Sequence, residues 1–170
     1  MRSVLFAALV AALLSTASFK AEAADYFTPV EGELSTPVMG ETVYVPLYSH
    51  VYVLGKTRFL LAATLSIHNT DLERPITITS VRYYNTAGRL METYLDRPHR
   101  LAPLATAEFF IGQNDQRGGS GANFIVEWVA ETEVSQPIVE AVMAGVSGPQ
   151  GLSLIRSGHV IRSLSEPQRP

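Results

Sequence analysis

Cysteine is absent from this 170-residue chain. Without thiols there is no disulfide, no thiolate metal ligand and no cysteine nucleophile, and there is no cysteine to carry the lipid of a bacterial lipoprotein. A secreted domain without disulfides must be stabilised by its core, and a domain of about 150 residues buries roughly two-thirds of its unfolded surface. The missing disulfides fit a bacterial envelope protein better than an animal extracellular module.

Basic residues are outnumbered. The chain has 13 Lys and Arg against 16 Asp and Glu, a formal net charge of −3. Removal of the first 23 residues would take away Arg2, Lys20 and Glu22, and the remaining 11 basic and 15 acidic residues give a net charge of −4. Nucleic-acid partners require a basic surface, so the composition argues against them.

The first 23 residues have the pattern of a secretory signal peptide. Arg2 precedes an apolar stretch at residues 4–14, and Ala21 and Ala23 form a small-x-small cleavage pattern. A membrane span needs about 20 apolar residues, so this stretch is too short to anchor the chain. The sequence therefore predicts cleavage near Ala23, a periplasmic or extracellular location, and no transmembrane span in the mature chain.

An extended lead-in is predicted over residues 24–41, because that segment is polar and rich in proline and glycine. Residues 42–53 then alternate aliphatic side chains on one side with Tyr44, Tyr48, His50 and Tyr52 on the other. Such alternation predicts one strand. Pro46 cannot donate to a sheet ladder, which places this strand at an edge or at a bulge.

The same alternation continues along the chain. Further strands are predicted at residues 58–69, 75–84, 89–95, 105–111 and 123–130, and residues 151–162 are predicted to form a last, weaker strand or a hairpin. The apolar phase shifts between Ile78 and Val81, which indicates a bulge. Trp128 lies in phase with Phe124 and Val126 and is predicted to be a core residue.

One segment, residues 137–146, is ambiguous. Ile138, Val142 and Val146 fit the spacing of a helix, whereas the β-branched residues in the segment favour a strand, and we predict a strand. About eight short strands then predict an all-β fold: a single antiparallel β-sandwich over residues 42–162, immunoglobulin-like in architecture. The polar residues 163–170 are predicted to form a disordered tail.

Four segments are distinctive: YVPLYSHVYV, LAATLSIHNTDLERPITITSVRYYNTAGRL, GGSGANFIVEW and IVEAVMAG. In these segments the chain resembles a family of exported bacterial proteins known as domain of unknown function 3124. The resemblance runs from about residue 43 to residue 161, nearly the whole mature chain. It implies one exported bacterial domain, and it implies no activity, ligand or catalytic residue, because the family has none assigned.

No segment has a complete catalytic or phosphate-binding motif. Residues 118–122 (GGSGA) approach a nucleophile elbow at Ser120, but an elbow needs a strand before the serine and a helix after it, and here a strand follows. A phosphate loop would need a Lys-Ser/Thr pair and a helix. The glycines are explained by a hairpin loop that uses left-handed backbone.

Metal sites are not indicated either. The four histidines lack the spacing of a zinc motif, and although His50 and His68 could lie on neighbouring strands, a third ligand is missing. Asp71 and Asp115 lie in polar turns without the dense alternating acids of an EF-hand, and turn chemistry accounts for them. The sequence therefore predicts no metal and no cofactor.

Export combined with a sandwich fold and no catalytic set predicts a binding or accessory module of the bacterial envelope. Its partner would be a protein or another envelope component, bound by the residues Tyr44, Tyr48, His50 and Tyr52, because tyrosine suits interfaces. One alternative is a hydrolytic or metal-assisted enzyme that assembles His50, His68, Asp71 or Ser120 in three dimensions. Another is a structural subunit that self-associates through an exposed strand edge.

Overall fold

The computed structural model describes residues 25–34 and 36–164. The predicted signal peptide and residues 165–170 of the predicted tail lie outside the described residues. Thirteen strands form in this part of the chain: β1 (Phe27–Pro29), β2 (Met39–Leu47), β3 (His50–Val53), β4 (Thr57–Leu60), β5 (Ala62–His68), β6 (Ile76–Tyr84), β7 (Leu90–Thr93), β8 (His99–Leu101), β9 (Thr106–Ile111), β10 (Ala122–Ala130), β11 (Ile138–Ser147), β12 (Gln150–Ser157) and β13 (His159–Ser163).

The strands pair into three antiparallel sheets. The seven-stranded sheet has the order β1-β8-β6-β10-β2-β13, with β7 also paired to β6, and the four-stranded sheet has the order β12-β11-β5-β9. Strands β3 and β4 form a separate hairpin. The predicted all-β class is confirmed, and no described residue belongs to a helix that could cross a membrane. The predicted number of strands was too low. β1 and β8, with three residues each, carry too little alternation to be recognised. In addition, each of the predicted segments 42–53, 58–69 and 151–162 contains two strands.

Alternation along the strands produces one hydrophobic core. In β10, Phe124, Val126 and Trp128 are buried, whereas the residues between them are partly exposed. The inward residues of the seven-stranded and four-stranded sheets belong to the same buried cluster. Trp128 is only 1% exposed, which confirms it as a core residue.

Strand β6 contains the predicted bulge. Its register with β10 changes from Ser80 opposite Glu127 to Ile78 opposite Trp128, so that Thr79 has no counterpart on β10. The Thr79 hydroxyl donates a hydrogen bond to the carbonyl of Glu127 at 3.1 Å. The extra residue restores the phase that brings both Ile78 and Val81 into the core.

The single strand predicted over residues 42–53 is wrong. Strand β2 ends at Leu47, and β3 begins at His50 and pairs with β4 instead of continuing along β10. The cause lies at Ser49, whose amide and hydroxyl both donate to the carbonyl of Gly119, at 3.1 and 3.0 Å. The Ser49 carbonyl in turn accepts from the amide of Leu61 at 2.9 Å. These long-range bonds direct the backbone away from the sheet.

The predicted lead-in over residues 24–41 contains β1 and the start of β2. Residues 138–147 form β11, which confirms the strand predicted for the ambiguous segment 137–146. It lies between β12 and β5, in the interior of the four-stranded sheet.

Candidate interaction surfaces

Tyr44 lies on the outward side of the seven-stranded sheet. It faces Ile125 of β10 on one side and His159 of β13 on the other. Its ring is partly exposed, and the alternate residues Val43 and Val45 are buried. Of the four predicted partner-binding residues, Tyr44 is the one held on a regular strand of a large sheet.

Tyr48 and His50 lie largely within the molecule. The Tyr48 ring packs against the core, with the guanidinium carbon of Arg156 5.7 Å from its centre. His50 is only 6% exposed; its Nδ1 lies 3.1 Å from the Ser49 hydroxyl, and its Nε2 has no hydrogen-bond partner among the described residues. Neither ring presents a broad surface to a partner.

Tyr52 is the exposed member of the predicted set, at 62%. It lies on the β3–β4 hairpin, and its ring meets the His50 ring edge-on with 5.2 Å between the centres. The break after Leu47 therefore divides the predicted set between the outer face of the seven-stranded sheet, the core boundary and a hairpin. The expectation that all four share one strand face was wrong.

The residues of the enzyme alternative are divided between the two ends of β5. Leu61, which immediately precedes β5, bonds to Ser49 beside His50. His68 is the last residue of β5, roughly 20 Å away at about 3.3 Å per residue. The Nδ1 atom of His68 lies 2.9 Å from the Thr106 hydroxyl. Strand β5 pairs with β9 and β11, so His50 and His68 are not on neighbouring strands.

The Asp71 carboxylate caps its own turn. It accepts hydrogen bonds from the amides of Glu73, Ser135 and Arg74, and these bonds lower the pKa of Asp71. Within residues 25–34 and 36–164, no group of three His, Asp or Glu side chains could hold a metal ion.

The Gly-rich loop between β9 and β10 is held mainly by bonds to the turn between β6 and β7 and to β7 itself. The Gly118 carbonyl accepts from the amide and hydroxyl of Thr86, at 2.8 and 3.0 Å, and the Gly121 amide donates to the same hydroxyl oxygen at 2.9 Å. Arg117 bonds to Asp115 at 2.7 Å and to Glu92 at 3.1 Å, and the first of these contacts lowers the pKa of Asp115. Turn and packing chemistry thus explain the loop that contains Ser120.

Gly118 is required by close packing. A Cβ at this position would collide with the Tyr83 hydroxyl and lie 2.8 Å from the Cβ of Ala122. Tyr83 itself is fully buried, and burial raises its pKa to about 12, with the Asp115 carboxylate acting in the same direction. The phenol is therefore a neutral packing group beneath the loop at physiological pH.

The outward side of the seven-stranded sheet holds a shallow hollow of about 200 Å³. Thr42, Thr79, Glu127 and Arg162 are among its lining residues. The Glu127 carboxylate is already bonded to Arg82 at 2.7 Å. The hollow combines apolar surface with charged side chains of both signs, and the residues that line it do not form a converging set of catalytic groups.

The outward side of the four-stranded sheet is apolar. One row crosses all four strands, with Thr64 between Phe110 and Val142, and Val142 next to Ile155. Phe110 is 65% exposed, Ile155 62% and Val146 69%, and Ile138 is also exposed. We call this surface the apolar face, defined by Phe110, Thr64, Val142, Ile155 and Val146.

Charge on this side of the sheet is of one sign. A second row places Ser66 between Glu108 and Glu140, and none of the outward residues of β5, β9, β11 and β12 is Lys or Arg. His68, at the end of the sheet, has its Nε2 3.8 Å from the Glu140 carboxylate. The apolar face is thus bordered by carboxylates.

The sequence analysis did not find this face, although a signal was present. Ile138, Val142 and Val146 were ambiguous because they suggested a helix, yet in β11 they all lie on the outward side. Val139 and Met143 fill the inward side of the same strand. Apolar residues on both sides of a strand, in a sheet whose one side already packs on the core, indicate an exposed apolar surface on the other side.

The family model described as "Protein of unknown function (DUF3124)" matches residues 40–161. The chain belongs to this family. The match contains all but the first residue of β2, the strands β3 to β12 and most of β13, and thus the four-stranded sheet with its apolar face and all of the seven-stranded sheet except β1 and the ends of β2 and β13. The resemblance seen in the sequence is confirmed, and the family description assigns no activity.

One solved structure with similarity to this family member is "Crystal Structure of Thermotoga maritima 1070", from Thermotoga maritima. The TM-score is 0.46 with 10% sequence identity, and the alignment covers 70% of this chain and 92% of the other. Similarity at this level gives no information about function. No curated protein matches the chain.

Proposed function

We propose that this chain is an exported binding module of the bacterial envelope, and that it docks a partner protein through the apolar face. The observation that supports the proposal is the exposure of Phe110, Val146 and Ile155 on one side of a regular sheet. Contiguous exposed apolar residues bordered by polar ones are typical of protein interaction sites.

The face is also suited to recognition by its rigidity. Its side chains project from hydrogen-bonded strands, so little conformational freedom is lost when a partner covers them. Phe110 provides an aromatic anchor beside the smaller Thr64 and Val142. Aromatic anchors surrounded by smaller contacts commonly supply much of the free energy of binding.

The chemistry of the partner follows from the charges. Glu108 and Glu140 lie beside the apolar row, and no basic residue shares the outward side of the described sheet. A complementary partner has an apolar patch flanked by Lys or Arg. Such charge pairs at a rim mainly accelerate association and select the partner.

Export is the second part of the proposal. It is supported by Arg2, the apolar residues 4–14 and the Ala21-x-Ala23 pattern. The intact mass of protein from an export-competent bacterial host tests it. A mature chain starting near Ala24 is expected, and envelope protein that retains residues 1–23 would contradict it.

We also infer that the two large sheets form an immunoglobulin-like sandwich. Support comes from their shared buried cluster and from pairings that are antiparallel throughout the described strands. A crystal structure tests the inference. Inward faces packed with their strands within about 30° of each other are expected, and crossed or separated sheets would contradict it.

The tyrosine surface predicted from the sequence is a second candidate. Tyr44 and Tyr52 are its accessible members, and Tyr52 has the more exposed ring. Tyr48 and His50 would act there by supporting the hairpin, since both pack inward. The experiment below separates this candidate from the apolar face.

The test measures partner capture from the native host with the double variant Phe110→Ser and Val146→Ser. Both side chains are exposed, so the fold is expected to remain intact. We expect capture to fall about tenfold or more, because truncated interface anchors commonly cost at least about 2 kcal/mol. Tyr44→Ser is the matched control and should capture normally. Undiminished capture by the double variant, or loss only with Tyr44→Ser, would contradict the proposal.

A further inference from the structure

The outermost strands of the two large sheets differ in how they are protected against pairing with another chain. β1 has three residues and ends in Pro29, β13 has a register shift before Arg162, and β9 carries Glu108. Short length, bulges, proline and charge all discourage edge-to-edge pairing. By contrast, β12 has eight residues with no proline, no acidic residue and no register shift.

The unpaired backbone groups of β12 can be identified. The Gly158 amide donates to the Val139 carbonyl at 2.7 Å, and hydrogen-bonded pairs alternate along an antiparallel ladder. The amides and carbonyls that point away from β11 therefore belong to alternate residues: Gly151, Ser153, Ile155 and Ser157. No other backbone hydrogen bond found within residues 25–34 and 36–164 uses these groups.

The side chains of β12 also leave the edge open. Its one charged residue, Arg156, is directed over the ring of Tyr48. Leu152 and Leu154 pack against the core but remain partly exposed, because the sheet ends at β12. A further strand alongside β12 would bond the free backbone groups and cover these two leucines.

We propose that β12 pairs with β12 of a second copy of this chain, antiparallel about a two-fold axis at Leu154. The two four-stranded sheets then become one continuous sheet of eight strands. In this register Ser153 faces Ile155 of the second copy and Gly151 faces its Ser157, so each free backbone group finds a partner. Leu154 faces Leu154 of the second copy, and Arg156 faces Leu152 of the second copy instead of its Arg156.

A second copy is the occupant that the geometry favours. Antiparallel pairing of a strand with itself satisfies the β12 edges of both copies at once, and an isologous interface of this kind is closed. The edges that remain at the ends of the sheet are the two β9 strands, which carry Glu108. Neither end of the described chain pairs with β12. β1 lies at the far edge of the seven-stranded sheet, and Leu164, after β13, bonds to Gly40. The proposal depends on the edge and not on the partner of the apolar face.

Sedimentation velocity of the mature chain over a concentration series tests the pairing. The native protein should form a dimer, and Ser153→Pro should weaken it about tenfold or more, because each copy loses one backbone donor across the axis. The bonds to β11 are retained, since the Ser153 amide points away from that strand. Ser153→Ala keeps the amide and should dimerise like the native chain. A native chain that stays monomeric, or a dimer that survives Ser153→Pro, would overturn the proposal.

A cross-link provides a readout that does not depend on the proline variant folding. The chain has no cysteine, so Leu154→Cys introduces the only thiol. Across the proposed axis the two Cα atoms would be about 4.5 Å apart, within reach of a disulfide. Mild oxidation should therefore give a covalent dimer faster than it does for the control Ser163→Cys on β13. Equal rates for the two variants would refute the register. The result does not depend on the partner-capture experiment, because β12 pairing uses the strand edge and not Phe110.

Discussion

Each of the two large sheets buries one side in the core, but their outward sides differ in charge and polarity. On the seven-stranded sheet, Tyr44 and Ile125 share a row with Arg82, and Arg82 bonds to Glu127 at 2.7 Å. On the four-stranded sheet, the corresponding row runs from Phe110 to Ile155 with no charged residue. Antiparallel sheets commonly solvate their outer side. The first sheet follows that rule, and the departure of the second is the reason that we propose the apolar face as the binding surface.

The largest expected effect compares the inward and outward sides of one strand. Trp128→Ala should lower the free energy of unfolding by about 3–5 kcal/mol, because a fully buried large aromatic residue leaves a cavity. Ile125→Ala, on the outward side of β10, should cost considerably less. Urea unfolding followed by circular dichroism measures both. Equal costs for the two variants would show that β10 does not have distinct inner and outer sides.

A smaller effect is expected in the loop that connects the two sheets between β9 and β10. Gly118→Ala should destabilise the fold by about 1–3 kcal/mol, because the added methyl group collides with Tyr83 and overpacking strains the core. Gly112→Ala is the matched control, since its Cβ would meet nothing nearer than Phe110 at 3.9 Å. Thermal melts compare the two, and a Gly118 variant as stable as the control would refute the packing assignment.

The outward charges should behave differently on the two sheets. Glu127→Gln removes the negative charge that pairs with Arg82 and should cost about 0.2–1 kcal/mol, since both side chains are partly exposed. Salt should reduce this cost by screening the pair. Glu140→Gln, on the four-stranded sheet, should leave stability within about 0.5 kcal/mol. Chemical unfolding at low and high salt measures both, and a larger loss with Glu140→Gln would reverse the comparison.

The smallest effect is expected on acid stability, through Asp71 in the loop that connects β5 to β6. Amide bonds from Glu73, Ser135 and Arg74 lower the pKa of Asp71 in the folded chain. A lowered pKa contributes stability above the unfolded value, and that contribution disappears as the pH falls through the folded value. Asp71→Asn should therefore flatten the loss of melting temperature below about pH 4, the usual carboxyl range. Glu131→Gln is the surface control, and identical acid profiles for the native chain and Asp71→Asn would contradict the assignment.

Local alternation made much of the fold predictable. Phe124, Val126 and Trp128 alternate with more polar neighbours, so the inward side of β10 could be predicted from residues that are close in the chain. The bulge at Thr79 was detectable for the same reason, because it shifts the phase within β6. The turn at residue 88 also follows from local chemistry, since Gly88 adopts a positive φ of 72°.

Long-range contacts set the limits of that reasoning. The strand expected over residues 42–53 breaks because Ser49 bonds to Gly119, 70 residues away, and no local pattern specifies that contact. Whether a strand's second side is covered depends on sheet order, which alternation does not give. The sequence therefore directed attention to Tyr44 and Tyr52, whereas the exposed apolar residues of β11 became interpretable only with both neighbouring strands in place.

Site-specific photo-cross-linking in the native host tests the apolar face most directly. A photoreactive phenylalanine analogue at position 110 or 146 places the reactive group on that face, and the same analogue at position 44 or 52 places it on the tyrosine surface. We predict a covalent adduct with one partner protein from positions 110 and 146, and none from positions 44 and 52. An adduct from position 44 or 52 alone, or from none of the four positions, would contradict the proposal that the four-stranded sheet binds the partner.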